Sequence, residues 1–256
     1  MFLQIPSEIT SPPQRIISLV PSQTELLHYL GLEKETIGIT RFCIHPGEWF
    51  RKKIRIGGTK NLNMEKIISL QPDLIIANKE ENVKEQVDLL ANNFPVWVTD
   101  INSYSEAIRM ISDIGVITNT SGKSEKLISE IESAFTEIHS GKKKSAAYLI
   151  WKDPYMTAGG YTFINDMMEK AGFFNVFAHR SRYPEVTAEE INSSGCAYIF
   201  LSSEPYPFKD VHAQELKKSI KDVEVQLVDG EMFSWYGSRM LAAPAYFKNL
   251  RDQMNL

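Results

Sequence analysis

The sequence lacks the long apolar runs and the basic excess that mark two large classes of protein. No apolar stretch approaches the ~20 residues that a bilayer-spanning helix needs. Lys and Arg total 28 against 32 Asp and Glu, and the formal net charge of -4 gives no general attraction for phosphate backbones or anionic lipid. We therefore expect no transmembrane segment and no nucleic-acid partner.

Cysteines and targeting signals are also scarce. The two cysteines, Cys43 and Cys196, allow one disulfide but no disulfide framework. The start, MFLQIPSEITSPPQR, has neither a basic-then-apolar leader nor a lipidation cysteine. As it stands the sequence predicts a cytoplasmic protein, whereas a leader lost from its start would make the protein periplasmic or attached to the cell surface.

The common nucleotide-binding and hydrolase motifs are missing as well. There is no G-x-G-x-x-G after a strand, no Walker loop and no G-x-S-x-G elbow, and Gly57-Gly58 and Gly159-Gly160 are turn signals. We expect no enzyme and no required cofactor. An enzyme that acts on a cofactor precursor, with Cys43 as the nucleophile, is kept as an alternative.

Short β-branched runs alternate with helix-period stretches along the chain. This alternation predicts an α/β protein whose two halves each have a mainly parallel sheet flanked by helices. The predicted strands are 15–20, 35–40, 73–78, 96–100, 146–151, 197–202 and 224–229, and helices follow at 161–171, 187–194, 213–220 and 236–253.

One amphipathic helix is predicted between the two halves. Apolar residues recur at three- and four-residue steps from Ile128 to Ile138, and neither Gly nor Pro interrupts 123–140. At ~1.5 Å per residue such a helix spans roughly 30 Å and makes a stiff connector. A surface helix of a single domain is the alternative. The predicted divisions are an N-terminal lobe (1–118), a connecting helix (119–144) and a C-terminal lobe (145–256).

Two helix starts carry the capping-box pattern, in which a hydroxyl and a carboxylate satisfy free backbone N–H groups. They are Ser22-x-x-Glu25 and Thr187-x-x-Glu190. We expect these residues to be structural. The two halves also share a weakly similar order of loop, helix, strand and charged loop. This similarity places residues 79–82 and 203–206 at the ends of equivalent strands.

Ligands of open parallel sheets bind beyond the carboxyl ends of the strands, where this sequence concentrates aromatic and charged residues. Each of these residues also has a purely structural interpretation. Glu80 and Glu81 could be charges exposed to solvent, and Trp235 and Tyr236 could be aromatic residues of the core. The candidate ligand-binding residues are Ser22, Arg41, Phe42, His45, Lys60, Lys79, Glu80, Glu81, Trp151, Tyr155, Tyr183, Glu204, Trp235, Tyr236 and Arg239.

Cys43 and His45 form a soft ligand pair. Thiolate and imidazole suit Zn, Fe or Co, but two ligands fall short of a complete metal site. A cytoplasmic metal-ion chaperone or sensor that uses this pair with a nearby glutamate is therefore a second alternative.

Several segments resemble the helical-backbone metal-receptor proteins, most closely the vitamin B12-binding proteins of ABC importers. They include RIISLVPSQTELLHYLGL, IGITRFCIHP, GGTKNLNMEKIISLQPDLIIANKEEN and YLIWKDPYMTAGGYTFINDMMEKAGFFNVF. The resemblance implies two α/β lobes joined by a long helix. It also implies a corrinoid or similar metal chelate held in the cleft between them, and an ABC permease as partner.

The resemblance also carries over individual residues. Glu65 matches the first-lobe carboxylate that docks on the transporter, and Phe42 and His45 fall at aromatic cleft positions. Ser234 stands where the second docking carboxylate is expected, with Glu231 as a possible substitute. Two tryptophans that stack on the ligand in the family are unmatched, because Thr59 or Lys60 and Asn78 stand there.

Overall fold

The computed structural model describes residues 1–136 and 142–256, which form two compact units. The first unit comprises Met1–Ile101, Ser105–Ile131 and Tyr236–Arg239, and the second comprises Asn102–Tyr104, Glu132–Trp235 and Met240–Leu256. Ile138 and the rest of the predicted helix to residue 140 lie outside the described residues. The predicted domain limits stay a prediction.

The first unit contains a six-stranded sheet in the order β1-β6-β5-β2-β3-β4, in which every pair is parallel. One of its two central strands, β5, has the sequence LIIAN and is buried along its whole length, as expected for a strand covered on both faces. The strands are β1 (Phe2–Leu3), β2 (Ile16–Ser18), β3 (Thr36–Ile39), β4 (Ile54–Arg55), β5 (Leu74–Asn78) and β6 (Val96–Thr99).

Helices cross between these strands. They are α1 (Pro21–Tyr29), α2 (Gly47–Lys52), α3 (Met64–Ser69), α4 (Lys84–Ala91), α5 (Tyr104–Ile117) and α6 (Ser121–Thr136), with a 3-10 turn at Pro6–Glu8. Helix α6 confirms the predicted amphipathic helix up to Thr136. Its residues to Ile131 belong to the first unit and those from Glu132 to the second.

The capping box predicted at Ser22 is wrong. Helix α1 begins at Pro21, so the N-cap is Val20 and Ser22 lies inside the first turn, where no side chain caps the helix. Proline is favoured at this first position because its missing N–H would be unpaired anyway. The second predicted box is confirmed, since Thr187 and Glu190 cap a helix reciprocally.

The second unit contains a sheet in the order β11-β10-β7-β8, with β9 also paired to β7. All pairs are parallel except β7 with β8. The strands are β7 (Lys144–Trp151), β8 (Met156–Thr157), β9 (Phe173–Asn175), β10 (Tyr198–Ser202) and β11 (Glu224–Val228). The two sheets share the pattern of β6-β5-β2 and β11-β10-β7, so 79–82 and 203–206 do follow equivalent strands, as the internal echo predicted.

The helices of this unit are α7 (Phe163–Lys170), α8 (Ala188–Ser193), α9 (Asp210–Ser219), α10 (Glu231–Ser234) and α11 (Ala243–Gln253), with a 3-10 turn at Ser238–Leu241. The single helix predicted over 236–253 is wrong. Gly237 has φ of 107°, which no right-handed helix contains, and Pro244 confines the regular helix to the residues from Ala243 onward.

All seven predicted strands are present, and the α/β class with mainly parallel sheets is confirmed. The strands that sequence analysis missed, β1, β4, β8 and β9, have two or three residues each, too few to show a period. Within residues 1–136 and 142–256, no helix combines the length and apolarity needed to cross a membrane.

Candidate functional site

In the first unit, Asn78 at the end of β5 organises the loop that follows. Its side-chain amide donates to the Thr99 carbonyl at 3.0 Å, and its side-chain oxygen accepts the backbone N–H groups of Glu80 (2.9 Å) and Glu81 (3.1 Å). The side-chain oxygen of Asn82 in turn accepts the backbone N–H of Asn78 at 2.9 Å. Residues 79–82 therefore form a turn at the end of β5 that side-chain hydrogen bonds hold in place.

The basic residues of this turn are already engaged. Lys79 pairs with Asp100 at 2.6 Å, and Lys60 donates to the Glu80 carbonyl. Asp100 was not among the predicted site residues, although its place directly after β6 was the available signal. These contacts orient the exit residues, and the Lys79 charge is paired with a carboxylate whereas Lys60 meets a neutral carbonyl.

Arg41 and Phe42 follow β3 as a stacked pair. The Arg41 guanidinium carbon lies 5.1 Å from the centre of the Phe42 ring, which is 49% exposed. A Cβ atom on Gly58 would lie 3.1 Å from the Phe42 ring and 3.2 Å from Arg41 Nε, so only glycine leaves ordinary contact distances here. Gly58 thus leaves room for the Arg41–Phe42 pair, which presents the exposed face of the Phe42 ring after β3.

Cys43 is a core residue. Its sulfur is fully buried and accepts a hydrogen bond from the Thr24 hydroxyl at 3.0 Å. It shares a second hydrogen bond of 3.2 Å with the Thr40 hydroxyl, in which either group can donate. Burial raises the pKa of the thiol, which disfavours the thiolate that metal binding or nucleophilic attack needs. The described residues contain no group of three His, Cys, Asp or Glu side chains placed to hold a metal ion. The buried, hydrogen-bonded thiol argues against Cys43 as a direct metal ligand, and metal binding by His45 stays a prediction.

In the second unit, aromatic residues lie at the end of β7 and after β10. Trp151 is 41% exposed and meets Tyr206 edge-on, with ring centres 5.6 Å apart. Tyr155 packs against the core of this unit, and Lys152 pairs with Glu215. Tyr183 is half-buried beyond the 180–182 segment, whose backbone pairs with Gly159 and Gly160.

Glu204 accepts hydrogen bonds from two residues of the predicted site region. The same oxygen, Oε1, accepts from Ser234 Oγ at 2.6 Å and from Trp235 Nε1 at 2.8 Å. Burial raises the pKa of the carboxyl, and the charges of Glu231 and Asp229 raise it further. Trp235 is only 7% exposed, so the contact with Glu204 favours the structural alternative for its indole.

The four residues Tyr236–Arg239 pack on α1 within the first unit. Arg239 forms two bonds to Glu25, at 3.0 Å and 2.7 Å, and Tyr236 is buried against Ser22 and Gln23. A Cβ on Gly237 would come within 3.3 Å of Leu26. This segment has structural roles, which agrees with the core-aromatic alternative for Tyr236 and with the structural role expected of Ser22 and Glu25.

The two predicted docking residues lie in different settings. Glu65 is exposed in the first turn of α3, whereas Glu231 is half-buried at the start of α10. Ser234, which stands at the expected docking position, is occupied by its bond to Glu204.

A surface cavity of about 760 Å³ lies at the amino ends of β10 and β11. Tyr198, Lys217, Lys221 and Glu224 are among its lining residues, and none of the predicted site residues borders it. Because parallel sheets bind ligands at the opposite, carboxyl edge, this cavity is not the candidate site.

Comparison with known protein families covers most of the chain. The model of the periplasmic binding protein family matches residues 16–225. The chain belongs to this family. The resemblance predicted from sequence is confirmed, and this member of the family is a substrate-binding protein and not an enzyme, which removes the alternative that used Cys43 as a nucleophile.

Two curated relatives of this chain are informative. An uncharacterised ABC transporter substrate-binding lipoprotein, YvrC of Bacillus subtilis, is 31% identical over 196 residues, which cover 72% of this chain but 62% of that relative. A vitamin B12-binding protein of Pectobacterium carotovorum is 24% identical over 239 residues and covers 90% of this chain and 86% of the relative.

Solved structures support the fold. The periplasmic vitamin B12-binding protein of Vibrio cholerae superposes with a TM-score of 0.79 at 21% identity, over 94% of this chain and 99% of the other. The heme-binding protein BhuT, solved with two hemes, also gives 0.79, at 16% identity over 94% and 99% of the two chains. Similarity at these identities establishes the fold alone.

Proposed function

We propose that this protein binds a corrinoid or a similar metal chelate as the substrate-binding component of ABC-type uptake or salvage. The observation that carries the proposal is the near full-length similarity to proteins named for vitamin B12 binding. The exposed aromatic rings at the strand exits agree with it, because a planar macrocycle offers a large face for stacking.

Each unit contributes a different kind of exit surface to this proposal. In the first unit, Phe42 supplies an aromatic face, and Arg41, Glu80 and Glu81 supply polar groups that orient a ligand. In the second unit, Trp151 supplies the exposed aromatic face. Hydrogen bonds and ion pairs already engage Trp235, Tyr236 and Arg239. We therefore propose that these residues hold the loops at the strand ends in place and do not contact the ligand.

Calorimetric titration with cyanocobalamin, dicyanocobinamide, hemin and a ferric hydroxamate siderophore tests the proposal. We expect one of the corrinoids to bind with a Kd of about 1 μM or tighter, which corresponds to about -8 kcal/mol. Failure of all four to bind at about 100 μM would contradict it.

Variants of the exposed aromatics sharpen this test. Phe42→Ala and Trp151→Ala should each weaken corrinoid binding by about tenfold or more, because a stacked ring contributes ~1 kcal/mol or more beyond the area it buries. Phe174→Ala is the matched control, since Phe174 is 45% exposed on β9, away from the strand exits. A similar loss in the control would show that the effect is not local.

We also propose a permease partner, docked through Glu65 and Glu231. The permease to use in the test is the one encoded nearest to this protein's gene, reconstituted in vesicles. Glu65→Ala should then lower uptake while leaving corrinoid affinity in solution unchanged. Cell fractionation adds a separate measurement, because importer function needs the protein outside the cytoplasmic membrane and a cytoplasmic location would favour salvage.

A further inference from the structure

In the second unit, the exposed indole of Trp151 lies against a tyrosine from the neighbouring strand exit. Trp151 is 41% exposed at the end of β7, and its ring centre is 5.6 Å from that of Tyr206, with 70° between the ring planes. Because β7 and β10 are parallel neighbours, their carboxyl ends share one edge of the sheet, and Tyr206 follows β10 there. Tyr206 therefore contacts the exposed ring of this edge from the side.

The second unit fixes Tyr206 through both its backbone and its ring. The Tyr206 N–H donates to the Ile150 carbonyl at 3.3 Å, which ties the loop after β10 to β7 one residue before Trp151. The Tyr206 ring packs on Phe208, which is a buried core residue, with ring centres 4.7 Å apart. The hydrophobic core of this unit thus sets the position of the Tyr206 ring.

His212 of α9 contacts the same tyrosine. The centre of its imidazole is 5.4 Å from that of the Tyr206 ring, and Nε2 is 3.4 Å from the Tyr206 hydroxyl oxygen. The Lys209 N–H donates to Nδ1 at 3.0 Å, so the neutral imidazole carries its proton on Nε2 and can donate it to the hydroxyl. Because 3.4 Å is long for a hydrogen bond, ring packing is the larger contribution.

From these contacts we infer that Tyr206 is a positioning residue for the ligand. Tyr206 holds the Trp151 indole in one orientation, so that the indole face is available to a planar macrocycle before the ligand binds. The inference rests on the proposed function, in which Trp151 stacks on the ligand. Its physical basis is that ordering a free side chain on binding costs free energy, and a side chain that is already ordered avoids that cost.

Replacement of Tyr206 tests this role in ligand binding. Tyr206→Leu removes the ring beside Trp151 and keeps an apolar side chain against Phe208. We expect the Kd of the corrinoid that binds, cyanocobalamin or dicyanocobinamide, to rise about threefold to tenfold, the range that one aromatic pair accounts for. Tyr206→Phe keeps the ring and loses only the long bond to His212, so Kd should stay within about twofold of the parent value.

A double-mutant cycle separates positioning from general damage. In a Trp151→Ala background, Tyr206→Leu should leave Kd unchanged, because the indole that Tyr206 positions is gone. Equal weakening in both backgrounds would overturn the inference. Phe174→Leu is the matched control, since Phe174 is an aromatic residue of the same unit that is 45% exposed on β9, and it should leave Kd unchanged.

A measurement without ligand tests the contact itself. Protein labelled with fluorotryptophan gives one fluorine NMR resonance for each tryptophan, and Trp151→Phe identifies the resonance of Trp151. Tyr206→Leu should shift and narrow that resonance, because the indole gains freedom of motion. The resonances of Trp49 and Trp97, which lie in the first unit, should stay in place as internal controls. A Trp151 resonance that does not change would overturn the positioning role.

Failure of the inference and failure of the proposed function give different results. If a corrinoid binds and Tyr206→Leu leaves its Kd unchanged, chelate binding stands and the positioning role is overturned. If neither corrinoid binds the parent protein, the proposed function fails and the role of Tyr206 in ligand binding fails with it. The fluorine spectrum would then still show whether Tyr206 holds the Trp151 indole.

Discussion

Glu204 illustrates how one carboxylate can hold a loop in place at the expense of stability. It accepts from Ser234 and Trp235, and among the described residues no lysine or arginine forms an ion pair with it. Its raised pKa means that the folded protein favours the protonated acid more than the unfolded chain does. The carboxyl therefore costs stability as the pH rises above its unfolded pKa of about 4.3.

Replacement of Glu204 by glutamine should stabilise the protein at neutral pH. The amide oxygen can still accept from Ser234 and Trp235, and the ionisation cost disappears. We expect a higher Tm at pH 7, and the gain should largely disappear by pH 4, where the carboxyl is mostly protonated in both the folded and the unfolded state.

Thermal unfolding followed by circular dichroism at pH 4 and pH 7 measures this effect. Glu215→Gln is the control and should give no gain, because Lys152 lowers the pKa of that exposed carboxyl. A Glu204→Gln protein no more stable than the parent at pH 7 would contradict the prediction.

The segment 236–239 shows an element assembled from distant parts of the chain. Its ion pair with Glu25 is largely shielded, with side-chain exposures of 16% for Arg239 and 21% for Glu25. Two parallel N–H bonds to one carboxylate are a strong geometry, and removal of one partner leaves the other poorly solvated.

A double-mutant cycle should reveal this coupling. Arg239→Met and Glu25→Gln should each lower the free energy of unfolding by about 1–3 kcal/mol, and the double variant by clearly less than their sum. Urea unfolding of the four proteins provides the measurement. The exposed pair Lys52–Glu48 is the control and should show little coupling. Additive losses at 25 and 239 would exclude a significant ion pair.

Strand positions and strand exits could largely be predicted, whereas the order of the strands in each sheet and the partners of exit residues could not. Runs such as LIIAN indicate a buried strand by composition alone. The placement of Lys79 and Glu204 just after the strands could therefore be predicted. Whether the Trp235 indole meets a ligand or a carboxylate depends on Glu204, which follows β10 and lies 31 residues earlier in the sequence. The predicted helix start at Ser22 failed because hydroxyl and proline signals were adjacent and the proline at 21 prevailed.

Four tryptophans allow the unfolding of the two units to be followed separately. Trp49 and Trp97 lie in the first unit, and Trp151 and Trp235 in the second. Both units contain segments from distant parts of the chain, since the first includes 236–239 and the second includes 102–104. We expect such interleaving to make unfolding cooperative.

The urea midpoints of the two units should therefore coincide. A Trp151→Phe, Trp235→Phe protein reports the first unit, and a Trp49→Phe, Trp97→Phe protein the second. The indole N–H groups of Trp49 and Trp97 are buried without a hydrogen-bond partner in the described structure, so phenylalanine removes no bond there. Far-UV circular dichroism of each variant is its own control. A fluorescence midpoint that departs from the dichroism midpoint in either protein would contradict the prediction.

The docking of 236–239 on α1 also constrains how such proteins can be recombined. A chimera that exchanges the first unit between two relatives cannot be made with one crossover near the middle of the gene. It must also transfer the codons for Tyr236–Arg239, more than a hundred positions downstream of Ile131. Without them, the new α1 would meet a foreign tetrapeptide, and Glu25 would keep its arginine only if the donor happened to supply one.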